Sequence, residues 1–229
     1  MKDFKEFADS IGVTFNDESL LQQAFTHRSY LNEHRGEVRG HNERLEFLGD
    51  AVLELATTHF LYEKFPEKPE GELTAYRAAL VNAVTLSDIA LALGMNDFML
   101  LSKGESKDTG RARAILLANA IEALIGAIYI DQGYDAAQHF IAEYILPKID
   151  DVVAKRLWQD AKSTFQEKAQ EHESVTPTYA VLREVGPDHD KRFVVGVYLR
   201  DGIVAQGEGR SKQEAEQDAA RAALTERGW

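Results

Sequence analysis

The chain has 229 residues, enough for one large domain or two small ones, and 44% of them are apolar, ample material for a buried core. Its net charge of −12 argues at face value against a polyanionic partner, but the deficit is uneven: residues 1–159 hold 25 acids against 16 bases, residues 160–229 hold 13 against 10. It contains no cysteine, which excludes disulfides and thiolate metal sites and fits a reducing compartment, the cytoplasm by default.

The first residues, Met1-Lys2-Asp3-Phe4-Lys5-Glu6, open no apolar run and show no signal peptide. Apolar periodicity then predicts helices over 20–30, 44–65, 73–93 and 112–131, joined by polar or glycine-containing connections. Residues 101–113, with Lys103, Lys107, Arg111 and Arg113, read as a basic loop, either a solvated connection or a rim for a phosphate backbone.

Within this helical part, Asn42-Glu43-Arg44-Leu45-Glu46-Phe47-Leu48-Gly49-Asp50 is the most informative segment. On a helix, Glu43, Glu46 and Asp50 fall within about 100° of one another at spacings of three and four. Stacked like charges repel, so the group calls for a cation or a basic partner; the alternative is an acidic helix start favoured by the dipole. Leu45, Phe47 and Leu48 are apolar enough to bury the helix, which turns the reading toward a metal site. Residues 114–130, AILLANAIEALIGAIYI, are apolar or small except for Asn119 and Glu122, with Tyr129 amphipathic. The run reads as a core helix, being short for a membrane span and carrying an ionisable group near its centre. No membrane partner is expected. A buried Glu122 needs a partner of its own. If the two helices pack, Glu46, Asp50, the Asn119 amide oxygen and Glu122 reach one small volume, a set of hard oxygen donors of the kind magnesium takes.

From residue 162 the period changes. Residues 162–172 read as helix and 179–185 as strand; Phe193, Val195, Val197 and Leu199 alternate as in a half-buried strand. Asp201-Gly202 is a hairpin turn, and 203–208 form the returning strand. Ser211-Lys212-Gln213-Glu214 is a capping box that opens an alanine-rich helix to residue 226. The expected fold is an all-α domain at 1–153, a linker at 154–160, and a small α+β domain at 161–229. In the latter the order α-β-β-β-α places both helices on one face of an antiparallel sheet.

These motifs resemble the bacterial ribonuclease III family. NERLEFLGD at 42–50 looks like its signature, and AFTHRSY at 24–30, EGELTAYRAALVN at 70–82 and IEALIGAIYID at 121–131 extend the likeness. FQEKAQ at 165–170, PTY at 177–179, GPDH at 186–189 and GEGRSKQEAEQDAA at 207–220 are similar to a double-stranded RNA-binding domain. The resemblance implies an endonuclease acting as a homodimer on duplex RNA, each subunit cutting one strand and leaving 5′-phosphate and 3′-hydroxyl ends. Processing of structured precursors such as rRNA would be its task. It implies a magnesium cofactor, with manganese able to substitute, and no small-molecule cofactor. The family's acidic positions fall on Glu46, Asp50, Asn119 and Glu122. Magnesium would be held there, and Asp50 would orient or deprotonate the attacking water.

By the same resemblance, Glu43 and Glu70 lie near the dimer interface or the cleavage valley, with Glu43 pairing with a basic residue across the dimer or serving as an ordinary helix-end acid. Gly49 costs a helix roughly 1 kcal/mol relative to alanine, and is read as a close backbone approach at the two-fold; His27 is read as a packing histidine. Gln166 and Glu167 would contact 2′-hydroxyls and base edges, and His189 the next minor groove. Ser211 and Lys212, at the start of the last helix, would face the intervening phosphates, with Arg210 compensating for Gln213 where the family commonly has a second lysine. Asn119 also departs, standing where the family usually has aspartate. It leaves two readings, an active enzyme with weaker metal affinity and a protein that holds duplex RNA without cutting it. A third, a phosphohydrolase of small nucleotides, fits the acids but gives the C-terminal module nothing to do.

Overall fold

The structure is a computed structural model that describes residues 2–34, 36, 39–154, 160–186, 191–200 and 202–229. It forms two compact units, Met1–Trp158 and Gln159–Trp229. The expected linker, 154–160, lies mostly outside the described residues.

The first unit is helical. Asp3 and Asp17 accept backbone N–H groups at the starts of α1 (Phe4–Ser10) and α2 (Glu18–Ala24). The helix expected over 20–30 is broken: α2 ends at Ala24, and α3 (Arg28–Glu33) restarts with His27 as its cap. Between them Thr26 bridges Leu100, while the Leu100 N–H donates to Phe25 and the His27 N–H to Leu100. Phe25 stays fully buried, so the apolar spacing runs through the break and hides it. The long α4 (Glu43–Lys64) is followed by α5 (Glu70–Leu80) and α6 (Ala83–Ala92). These two replace the single helix expected over 73–93, because the Asn82 side chain accepts from the Thr85 N–H and starts a new helix. Next come α7 (Gly110–Gln132), α8 (Tyr134–Tyr144) and α9 (Ile149–Ala154). Arg111 and Arg113, expected in the basic loop, belong to the first turn of α7.

At the centre lies α7. Among the described residues it is the helix long and apolar enough to cross a membrane, yet from Leu117 to Ile128 every side chain except those of Asn119 and Glu122 is packed in the core. It meets α4 at backbone contact. A Cβ on Gly49 would run into the Glu122 carbonyl, and one on Gly126 into the Leu45 carbonyl. The close approach that Gly49 serves is therefore within the chain, against α7, and not at a two-fold. A second correction concerns Phe47. Read as a residue that helps bury α4, it is instead 81% exposed. It shares the outer face of α4 with Ala51, Leu55, Thr58 and Tyr62, all exposed.

In the second unit, α10 (Ala161–Glu173) precedes β1 (Thr178–Val185), β2 (Arg192–Leu199), β3 (Gly202–Gly209) and α11 (Lys212–Arg227). The sheet is antiparallel in the order β1-β2-β3. Both helices contribute to one core, with Phe165 and Ala169 from α10, Val197 and Leu199 from β2, and Ala219, Ala220 and Ala223 from α11. Expected to be half-buried, β2 is buried on both faces, since Val194 and Gly196 are covered as well as Val195 and Val197. The turn falls one residue earlier than expected. Gly202 already pairs with Leu199, and Arg200 takes the left-handed conformation at φ 55°; Asp201 lies outside the described residues.

Candidate active site and RNA interface

The start of α4 is held by a residue that looks like an ordinary helix cap. Asn42 is 3% exposed and makes no side-chain capping bond. Its amide donates instead to the Ala24 carbonyl at 3.3 Å, and its backbone N–H to Thr26 at 2.9 Å. Its own carbonyl accepts from Leu45 and Glu46, both at 2.9 Å. The first turn of α4 is thus fixed to the α2–α3 junction. One residue on, Glu43 lies 3.5 Å from Arg28 and 3.8 Å from His41, so its basic partners in this structure are in its own chain. His27 is half-buried, with Nδ1 against the Ser29 hydroxyl at 2.8 Å; beyond the packing role expected of it, its side chain caps α3.

Because α4 and α7 touch at Gly49 and Gly126, the acids on the two helices feel one another. Burial, then the Asp50 charge, then the Glu46 charge push the Glu122 carboxyl up to about 7. Glu46 is also raised, first by burial and then by Glu43, while a hydrogen bond with the Asn119 side chain pulls it down and Asp50 adds a smaller push upward. Glu46, Asp50, Asn119 and Glu122 therefore share one electrostatic environment. Among the described residues, however, no three His, Asp or Glu side chains already stand as a coordinating group. Glu70 is not among the charges that act on Glu46 or Glu122. It opens α5, exposed, and lines a groove of about 440 Å³ with Thr58, Leu61, Tyr62, Leu73 and Arg77.

In the second unit, Gln166 and Glu167 are exposed on α10, clear of the buried Phe165 and Ala169. The Ser211 hydroxyl accepts from the Glu214 N–H at 3.1 Å, and the Glu214 carboxylate reaches back to the Arg210 N–H at 2.9 Å. Lys212 is exposed beside this capped end. His189 lies outside the described residues. Sequence reasoning missed that Glu216 is paired with Lys162, at 2.6 Å. It also missed Asn42 as a buried strut. Neither leaves a local signal, since each depends on a partner far along the chain.

Acids gathered on two core helices, joined to an α-β-β-β-α unit with a capped, lysine-bearing helix start, describe a nuclease that works on structured nucleic acid. Comparison with known proteins agrees. Residues 17–149 match the model of the family described as Ribonuclease-III-like, and residues 161–227 match that of the double-stranded RNA binding motif. The chain is 50% identical over 221 residues to Ribonuclease 3 of Geobacillus kaustophilus, spanning 96% of this chain and 89% of that protein. It is 48% identical over 224 residues to Ribonuclease 3 of Bacillus velezensis, spanning 98% and 90%. A solved nuclease domain of ribonuclease III from Campylobacter jejuni is 38% identical, covers 65% of this chain and 97% of its own, and superposes with a TM-score of 0.58. A second structure of that domain, 38% identical, covers 62% and 96% with a TM-score of 0.57. The chain belongs to the ribonuclease III family. It is an endoribonuclease of that type, and its second unit is the double-stranded RNA-binding domain.

Proposed function

We propose that the chain cuts both strands of duplex RNA in a reaction that depends on a divalent cation held by Glu46, Asp50, Asn119 and Glu122. The observation that carries this reading is the Glu122 carboxyl, half-buried on the core helix that α4 touches at Gly49 and pushed up to about 7 by that burial and by the charges of Asp50 and Glu46. A group in that position is relieved by a cation. The donor set fits one: three carboxylates and an amide oxygen, all hard, on two helices locked together at Gly49 and Gly126. Magnesium takes such donors, and manganese accepts them too. When bound, the ion neutralises charge at the scissile phosphate and makes a water molecule more acidic. Glu46 and Glu122 are the holding carboxylates, while Asn119 supplies a neutral oxygen and steadies Glu46. Asp50, the exposed acid of the group, orients the attacking water or takes its proton. In-line attack expels the 3′ oxygen, leaving a 5′-phosphate and a 3′-hydroxyl.

Two copies acting together account for the cutting of two strands. The outer face of α4 carries the exposed Phe47, Leu55 and Tyr62, and the groove beside Tyr62 and Glu70 lies more than two helical turns along from Phe47. Each copy thus offers both an aromatic projection and a recess, as a two-fold interface requires. One of the Campylobacter jejuni structures is described by flexibility in a region involved in dimer formation. In the second unit, Gln166 and Glu167 read the minor groove, and Arg210, Ser211 and Lys212 meet phosphates. Structured precursors such as rRNA, in the cytoplasm, are the substrates this reading favours.

Asn119 supports one competing reading, a protein that holds duplexes without cutting them. The deciding experiment is cleavage of a long RNA duplex with and without magnesium, beside Glu122→Gln and Asn119→Asp. Magnesium-dependent cutting that Glu122→Gln abolishes is the expected result. Binding without cutting at any magnesium concentration, with cutting restored by Asn119→Asp, would establish the competing reading instead.

A further inference from the structure

In the second unit, Glu184, Phe193 and Gly209 stand opposite one another across the three strands. The β3 end of the row lies beneath the first turn of α11, because a Cβ on Gly209 would run into the Ala215 backbone. The Glu184 carboxylate is within reach of Lys212, the first residue of the 16-residue α11. Two ammonium groups meet it there: Lys191 Nζ at 3.5 Å and Lys212 Nζ at 3.9 Å. Lys212 also lies over the Phe193 ring, 5.7 Å from its centroid. Glu184 and Lys212 are both open to solvent, with 43% and 60% of their side chains exposed, so a ligand can reach them.

An anion between two ammonium groups, one of them on the first residue of a helix, competes with any nucleic-acid phosphate those groups could hold. In this chain the anion is its own. We propose that Glu184 is a built-in competitor for RNA phosphates. It fills the fork of Lys191 and Lys212 and sets the affinity of the second unit below what those lysines would give alone. The inference rests on the reading that this unit grips duplex RNA by its phosphates. Glu216 does not play the same part, because its carboxylate is already held by Lys162 on α10. A carboxylate that weakens the grip favours release of a duplex once it has been cut, since a nuclease must let go of its products.

The test is the affinity of the full chain for a fluorescent RNA duplex, measured by anisotropy without divalent cation so that nothing is cut. Removing one like charge a few ångströms from a bound phosphate at the surface should tighten binding about threefold to tenfold in Glu184→Gln. Glu184→Lys should tighten it further. Glu208→Gln makes the same change of net charge from the opposite face of the sheet, and should give little gain. Lys212→Ala should weaken binding and lower the salt slope by about one; combined with it, Glu184→Gln should lose most of its effect. Weaker or unchanged binding in Glu184→Gln overturns the proposal, as does an equal gain from Glu208→Gln. If the unsubstituted chain binds no duplex and Glu184→Gln binds none either, the RNA reading falls with it. If the unsubstituted chain binds and Glu184→Gln matches it, this inference falls alone.

Discussion

A carboxyl that titrates at about 7 in the folded chain, against an ordinary 4.5, keeps its proton across a range where the unfolded chain has lost it. The folded state then binds more protons than the unfolded state, so stability falls as pH rises through that window and is level again above it. In the metal-free chain, thermal unfolding should therefore move to lower temperature between about pH 5 and pH 8. Glu122→Gln should flatten that part of the slope, and magnesium should remove it by favouring the ionised acid. An unchanged slope in Glu122→Gln would mean that burial at this position costs nothing. The three carboxylates were legible in the sequence because helical spacing alone brings Glu46 and Asp50 to one face and leaves Glu122 stranded in an apolar run. Asn42 was not legible. A polar residue before a helix looks like a cap, and only the carbonyl of Ala24, eighteen residues earlier, makes it a buried strut.

Helix and strand identities were readable from period, but their ends were not. The breaks at residues 25–27 and at Asn82 depend on a bridge to Leu100 and on one side-chain bond to Thr85, neither of which interrupts the apolar pattern. The alternation in β2 marked its inner face correctly, yet the outer face is covered too, because the strand is central. Gly49 was noticed as an expense in a helix, and its beneficiary turned out to be α7. The crossing makes a sharp expectation for its other glycine. Gly126→Ala drives a methyl group into the Leu45 carbonyl, so stability should drop by about 1–3 kcal/mol. Since Glu122 would be displaced from Glu46 and Asp50, cleavage should fall about a hundredfold. Chemical denaturation and a single-turnover assay read the two effects separately; a variant that loses stability yet cuts normally would show that the crossing does not position the acids.

At the scale of the whole molecule, the division into two units was legible as a change of period near residue 160, and each unit has its own apolar core. What the sequence concealed was the outer face of α4. Periodicity counts Phe47 as apolar without saying on which side of the helix it lies. As an 81% exposed side chain it contributes little to the folding of one copy, so Phe47→Asp should change monomer stability by less than about 0.5 kcal/mol. With two copies paired through this face, as proposed above, it should nonetheless shift sedimentation from dimer to monomer and abolish paired strand cutting while leaving duplex binding by the second unit intact. A variant that stays dimeric would place the interface elsewhere. The position of α7 has a consequence for how the chain is made. Its neighbours α2, α4 and α6 all precede it in the sequence, and of its main packing partners only α8 follows. During synthesis, which releases a chain from its N-terminus, this long apolar helix emerges after most of its binding surface is already available. A segment that by composition could be mistaken for a membrane span is thus given a place to fold almost as soon as it appears.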